Sequence, residues 1–207
     1  MAIERLDARH PHAQVCVMRI FSKLTLSWLA AVAISALPMT AVAEIDLLKN
    51  DRLIEATKAD DLTTAESMLA RGHNVDARDE NRRTSLFFAA MEGNEDFVNL
   101  LLRFNPRVNS TDKFGSSPLY YAAAGNHVGV IEALAGKGAN INVQNRQGLT
   151  PLMIAASSGH LAAVQALLDL KADSGFTDFT GRTALDWALR NNRRAVVRFM
   201  KSAGIDS

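Results

Sequence analysis

From Asp51 onward the apolar positions fall into blocks that recur every 33 residues. Thr84-Ser85-Leu86, Ser117-Pro118-Leu119, Thr150-Pro151-Leu152 and Thr183-Ala184-Leu185 open successive blocks at that interval. Each is followed by a small-residue pair: Ala89-Ala90, Ala122-Ala123, Ala155-Ala156, then Ala188-Leu189. After a polar break, an apolar run with three- and four-residue spacing closes the block: Phe97, Val98, Leu100 and Leu101; Val130, Ile131 and Leu134; Val164, Leu167 and Leu168; Val196, Val197, Phe199 and Met200. Such spacing predicts a helix that buries one stripe. The Thr or Ser supplies an N-cap oxygen for a shorter first helix, and proline at the next position is pre-set for its first turn. The paired alanines let that helix lie close to its neighbour. One block cannot bury its own apolar face, but stacked blocks share a continuous core. The pattern thus predicts an all-α chain of five helix pairs, with repeats at about 46–78, 79–111, 112–144, 145–177 and 178–207.

Ahead of three blocks stands a turn ending in glycine: Asp112-Lys113-Phe114-Gly115, Asn145-Arg146-Gln147-Gly148 and Asp178-Phe179-Thr180-Gly181. Asp or Asn can close an Asx turn there, and glycine accepts the backbone conformation the turn needs. The first block, with Leu53, Ile54, Ala56, Met68 and Leu69 at the right spacing but no Thr-Pro-Leu, reads as a degenerate N-terminal cap. Three full repeats and a C-terminal cap follow.

These motifs, together with Gly138-Ala139-Asn140-Ile141-Asn142, resemble the ankyrin repeat family over about residues 46–207. The resemblance implies an ankyrin solenoid with short turn tips, a protein partner, and a concave surface formed by the tips and the exposed side of the first helices. Mapped onto this chain, the partner-binding residues are Arg83, Lys113, Phe114, Arg146, Leu149, Phe179 and Arg182. Turn tips are ordinarily polar, so the apolar Phe114, Leu149 and Phe179 among basic residues give the mixture favoured at interfaces. Of Phe87-Phe88 and Tyr120-Tyr121, the second member of each pair is expected in the core. Two departures stand out. The family's histidine after Thr-Pro-Leu, which tethers neighbouring turns, is replaced by Phe87, Tyr120, Met153 and Asp186, so packing must compensate. Asn105-Pro106-Arg107 stands where a glycine is usual, which predicts an irregular turn.

Residues 18–43 have the three-part secretory pattern. Arg19 and Lys23 form a positive head, an uncharged run extends from Leu24 to Ala43, and Ala41-Val42-Ala43 is the cleavage triplet, giving a mature start at Glu44. Residues 1–17 do not look like a signal head, so they read as an extension ahead of a true start at Met18. Cleavage is favoured over a membrane anchor, because Thr25, Ser27, Ser35, Pro38 and Thr40 dilute the apolar run. These features point to export, to a Gram-negative periplasm or beyond. The remaining chain carries 19 basic and 20 acidic residues and no cysteine, since Cys16 lies in the extension. A disulfide framework and a cysteine zinc site are excluded. Neutral charge also argues against nucleic-acid binding.

No cofactor, metal or catalytic constellation emerges. His127 and His160 sit at the repeat's Gly-His position and read as structural, as does His73. Asp60, Asp61 and Glu66 read as a solvated face rather than a cation site. Asn109-Ser110-Thr111 fits a glycosylation acceptor. Residues 44–66 hold seven acids against three bases, whereas 190–201 hold five bases and no acid, which reads as two polar ends that keep the stack soluble and monomeric. The expected function is binding of a periplasmic protein, with an immunity-type inhibitor of an exported toxin as the alternative. A small hydrolase or metal enzyme built on His127 and His160 is less favoured, because repeat-phase histidines lie one unit apart and do not converge.

Overall fold

The computed structural model describes residues 52–205, all of them in the repeat region. The extension, the secretory segment, Cys16 and the expected start at Glu44 lie outside the described residues. Among the described residues are ten helices in five pairs: α1 (Arg52–Lys58) with α2 (Leu62–Ala70), α3 (Ser85–Glu92) with α4 (Glu95–Arg103), α5 (Pro118–Ala124) with α6 (Val128–Gly136), α7 (Pro151–Ser158) with α8 (Leu161–Asp169), and α9 (Ala184–Arg190) with α10 (Arg194–Ser202). First helices pack on first helices and second on second along the stack, giving two layers.

The core lies between and within those layers. All six paired alanines of α3, α5 and α7 are buried, so the first helices approach closely. Phe97, Val98 and Leu101 on α4, Val130, Ile131 and Leu134 on α6, and Val164 and Leu167 on α8 are all 0 % exposed, as the stripe requires. Leu53, Ile54, Ala56, Met68 and Leu69 are buried too, so the degenerate first block packs as a true repeat.

The caps follow the sequence with one exception. Ser117, Thr150 and Thr183 each accept the backbone N–H three residues on, and Thr183 forms a reciprocal capping box with Asp186. Thr84 has the extended backbone of a cap but makes no side-chain cap bond, and Ser85 stands where Pro118 and Pro151 open the later helices.

Three expectations are corrected. Phe87, the first of its pair, is fully buried, whereas Phe88 is half-buried under the Lys58 ammonium and the Arg83 guanidinium, 4.8 and 4.6 Å from its ring centre. Tyr120 and Tyr121 are both half-buried. The turn at Asn105 keeps the usual left-handed step, with Asn105 at φ 51° where Gly72 and Gly138 stand, but it is irregular as expected, because Pro106 has no N–H to make the bond that His73, Ala139 and Ala172 donate to the carbonyl oxygens of Met68, Leu134 and Leu167. Packing is also not alone in replacing the missing histidine tethers, because the tips are hydrogen-bonded to one another.

Candidate functional site: the turn tips

Each tip is organised by one carboxylate or amide. The Oδ1 atoms of Asp79, Asp112, Asn145 and Asp178 each accept the backbone N–H groups two and four residues on, at 2.8–3.0 Å. The second oxygen of each aspartate meets a different donor. Arg83 Nε donates to Asp79 Oδ2 at 3.0 Å, the Tyr121 hydroxyl to Asp112 Oδ2 at 2.7 Å, and Trp187 Nε1 to Asp178 Oδ2 at 3.1 Å. Ile154 stands at the position of Tyr121 and Trp187 and has no donor to give. There the tip residue is Asn145, whose amide donates instead to Ser116 Oγ at 3.4 Å. Asp therefore occurs where a side-chain donor faces it, and Asn where none does.

Successive tips are joined through the backbone. The N–H groups of Lys113, Arg146 and Phe179 donate to the carbonyl oxygens of Asn81, Phe114 and Gln147 at 3.0, 2.9 and 3.3 Å. These bonds do the tethering that the absent histidine would have done. The first tip departs from the others at Arg82, a non-glycine residue at φ 64° where Gly115, Gly148 and Gly181 stand in later tips.

Burial acts to raise the Asp178 pKa, but hydrogen bonds from the Thr180 side chain, the Arg182 and Thr180 N–H groups and Trp187 outweigh it and hold the carboxyl below its ordinary value. The Tyr121 phenol moves the other way, raised by burial, then by its bond to Asp112 and that residue's charge; Tyr120 is raised by burial and by Asp112. A raised phenol pKa adds stability that is fully present below the ordinary value of about 10 and is lost as pH climbs through the folded value. The chain has two tyrosines. Tyrosinate absorbance near 295 nm is therefore expected to rise only above pH 10, together with loss of the helical signal. A phenol half-ionised at pH 10 in folded protein would contradict the buried bond.

The expected partner-binding residues separate into two groups. Lys113, Phe114, Arg146 and Phe179 are exposed. Phe114 retains 57 % of its accessible surface and Phe179 72 %. The Lys113 ammonium lies 5.1 Å from the Phe114 ring centre, and Lys113 Nζ donates to Asn81 Oδ1. Arg83 and Arg182 are half-buried and already engaged, Arg83 in an ion pair with Asp79 at 2.9 Å and Arg182 on Thr180 Oγ1 at 2.6 Å, with its guanidinium over Trp187. Leu149 is not an open tip residue: it is half-buried and packs on the core with Ile154. It directly precedes the N-cap Thr150, where an apolar side chain staples the incoming chain to the first turns of the helix. Phe114 and Phe179 occupy different positions within their tips, so with Leu149 they form no single stripe. The floor beside the tips is small at its centre (Ala124, Gly125, Ser157, Ser158), between Glu92 at one end and Arg190 at the other.

The histidines are structural tethers. His127 Nε2 donates to the Met91 carbonyl oxygen at 3.1 Å and His160 Nε2 to that of Ala124 at 2.9 Å, linking the start of each second helix to the first helix of the preceding repeat. Arg193 takes the same role on the Ser157 carbonyl oxygen at 2.9 Å. Asp60, Asp61 and Glu66 do not converge: Asp60 accepts from Asn94, Asp61 caps α2, and Glu66 pairs with Arg103. Among the described residues no group of three or more His, Cys, Asp or Glu side chains could hold a metal ion. The Asn109 amide is engaged on both sides, donating to the Gly138 carbonyl oxygen and accepting the Asn140 N–H.

A family model described as ankyrin repeats, in three copies, matches residues 53–145 and again 129–207. The chain belongs to the ankyrin repeat family. No curated protein matches it. Ankyrin repeats generally act as protein–protein interaction modules. Two features of this ankyrin stack were not read from the sequence: the donors nine residues after Asp112 and Asp178, and the exposure of Leu189, which stands 46 % exposed where Ala90, Ala123 and Ala156 are fully buried. The break in the alanine pair at Ala188-Leu189 was the available signal.

Proposed function

We propose that this chain is an exported ankyrin module that binds a periplasmic protein through its turn tips and the adjoining floor of first helices. The observation that carries this reading is the pair of open rings. Phe114 and Phe179 leave most of their surface in water beside Lys113 and Arg146. Burying such a side chain stabilises a complex by about 1.5–3 kcal/mol, and aromatic and arginine side chains are enriched at the centres of interfaces. Export is supported by the secretory pattern of residues 18–43 and by the lack of cysteine after it, which suits an oxidising compartment. The role assigned is binding rather than catalysis, because His127 and His160 are engaged on backbone carbonyls. An inhibitor of an exported toxin would use the same surface and differ only in its partner.

The test is expression of the full chain in a Gram-negative host, with cross-linking and intact-mass analysis of the periplasmic fraction. The expected product begins at Glu44 and carries a cross-linked protein that is lost from the F114A/F179A variant. A mass retaining residues 18–43 overturns the cleavage, and capture that persists in the variant overturns the tip surface.

A further inference from the structure

Val98, Ile131 and Val164 on the second helices are 0 % exposed, as are Ala90, Ala123 and Ala156 on the first, because the next helix pair lies against them. The equivalent positions on α9 and α10 are Leu189 and Val197. Leu189 is 46 % exposed and Val197 half-buried, and among the described residues no helix pair follows them. A polar end would place a polar or small side chain at the first position, yet the chain enlarges alanine to leucine there. Around this apolar spot the inner repeats' residues are exchanged for bases: Arg194 stands where Val128 and Leu161 stood, and Lys201 where Leu102 and Leu168 stood. Arg194 and Lys201 flank Val197 at three- and four-residue spacing on one side of α10. Arg198 and Arg190 extend the rim, and all four are exposed with no ion pair among the described residues. From Trp187 to Ile205 the sequence contains no acid.

We infer that the outer face of α9 and α10 is a second docking surface, separate from the tips, for an acidic protein segment that seats an aliphatic side chain on Leu189 and Val197. Arg194 Nε donates to Asn192 Oδ1 at 3.3 Å and the Arg190 guanidinium lies 6.0 Å from the Trp187 ring centre, but among the described residues none of the four bases meets a carboxylate, and three of the four are arginines, whose planar forks match carboxylates in pairs. A lipid surface fits less well, because Val196 and Met200 of α10 are buried in the core and Val197 and Phe199 are half-buried, so the helix offers an apolar spot but no broad apolar face to insert. A second copy fits less well too. Among the described residues, the groove along α1 and α2 carries Arg52 and Arg71 beside a single acid, Glu55, which already pairs with Lys58 at 2.9 Å.

The inference does not depend on the tip surface, and its test keeps the two apart. Full-length protein is titrated into a fluorescently labelled amphipathic peptide with glutamates on one face and leucines on the other, and anisotropy is followed at low and physiological salt. The expected result is binding that weakens with salt, falls roughly tenfold or more in R194E/R198E/K201E, and falls several-fold in L189A. L189A restores the residue of the inner repeats and so should keep the fold. A matched R194Q/R198Q/K201Q variant, expected to weaken binding less than charge reversal does, serves if the reversed chain fails to fold by circular dichroism. F114A/F179A should bind the peptide as the wild type does. Unchanged affinity in the charge variants, equal affinity in L189A, or equal loss in F114A/F179A overturns the inference. So does binding to anionic phosphatidylglycerol vesicles with the same dependence on Arg194, Arg198 and Lys201 in place of peptide binding.

Discussion

Leu167→Ala should lower the stability of the stack by about 2–5 kcal/mol, measured as a fall in the urea midpoint. Leu167 is 0 % exposed on α8, and that helix is packed by α6 on one side and α10 on the other as well as by its own partner α7. Removing its branched end leaves a cavity whose walls belong to three helix pairs. Those walls cannot close without shifting the neighbouring interfaces, so little of the loss is recovered by relaxation. Because a repeat stack is held by nearest-neighbour interfaces, the whole array is expected to weaken rather than one end. Leu134 on α6 has the same burial and should behave alike. A loss below about 1 kcal/mol at both sites would contradict the packing described.

Gly148→Ala should cost about 2–5 kcal/mol, while the chemically identical Gly181→Ala costs about 1–2 kcal/mol. Both glycines close a turn tip at left-handed φ, 79° and 82° respectively, so each alanine meets the same conformational penalty. Their surroundings differ. A methyl at Gly148 would lie 2.7 Å from the Phe179 backbone nitrogen, 2.8 Å from its ring carbon Cδ1 and 3.0 Å from the Asp178 Cα, whereas a methyl at Gly181 meets nothing within 4 Å. The ring of Phe179 could swing aside, but the backbone atoms belong to the next tip and are tied to Gln147 by the inter-tip hydrogen bond. Thermal melts of the two variants should separate clearly. Equal losses would mean that the neighbouring tip yields freely, and the tips would then not be the rigid platform a binding surface needs.

The stacking was legible because it is periodic. Burial of Phe97, Ile131, Leu134 and Leu167 follows from spacing alone, and an aspartate or asparagine before each tip announces its Asx bond. The misses arose where a residue's role depends on a partner outside that period. Phe88, Tyr121 and Trp187 turn toward their own tips, where a carboxylate nine residues upstream or a pair of cations receives them, so Phe87 rather than Phe88 entered the core. Leu149 reads as an exposed tip residue from its position in the tip, but the N-cap at Thr150 that follows directly turns its side chain onto the core. The irregular turn at Asn105-Pro106 was legible, since asparagine can take the left-handed step but proline has no N–H to close the turn. Phe114 and Phe179 were legible as anomalies, and the structure leaves both rings open.

The central claim is that those rings bind a protein, and calorimetric affinity for the captured partner tests it most directly. F114A/F179A, confirmed by circular dichroism to melt as the wild type does, should bind at least about thirtyfold more weakly, the effect of losing about 2 kcal/mol or more from interface anchors. Wild-type affinity in a variant that remains fully folded would contradict the account. A variant that loses thermal stability as severely as Leu167→Ala would contradict it equally, because the rings would then be packing residues.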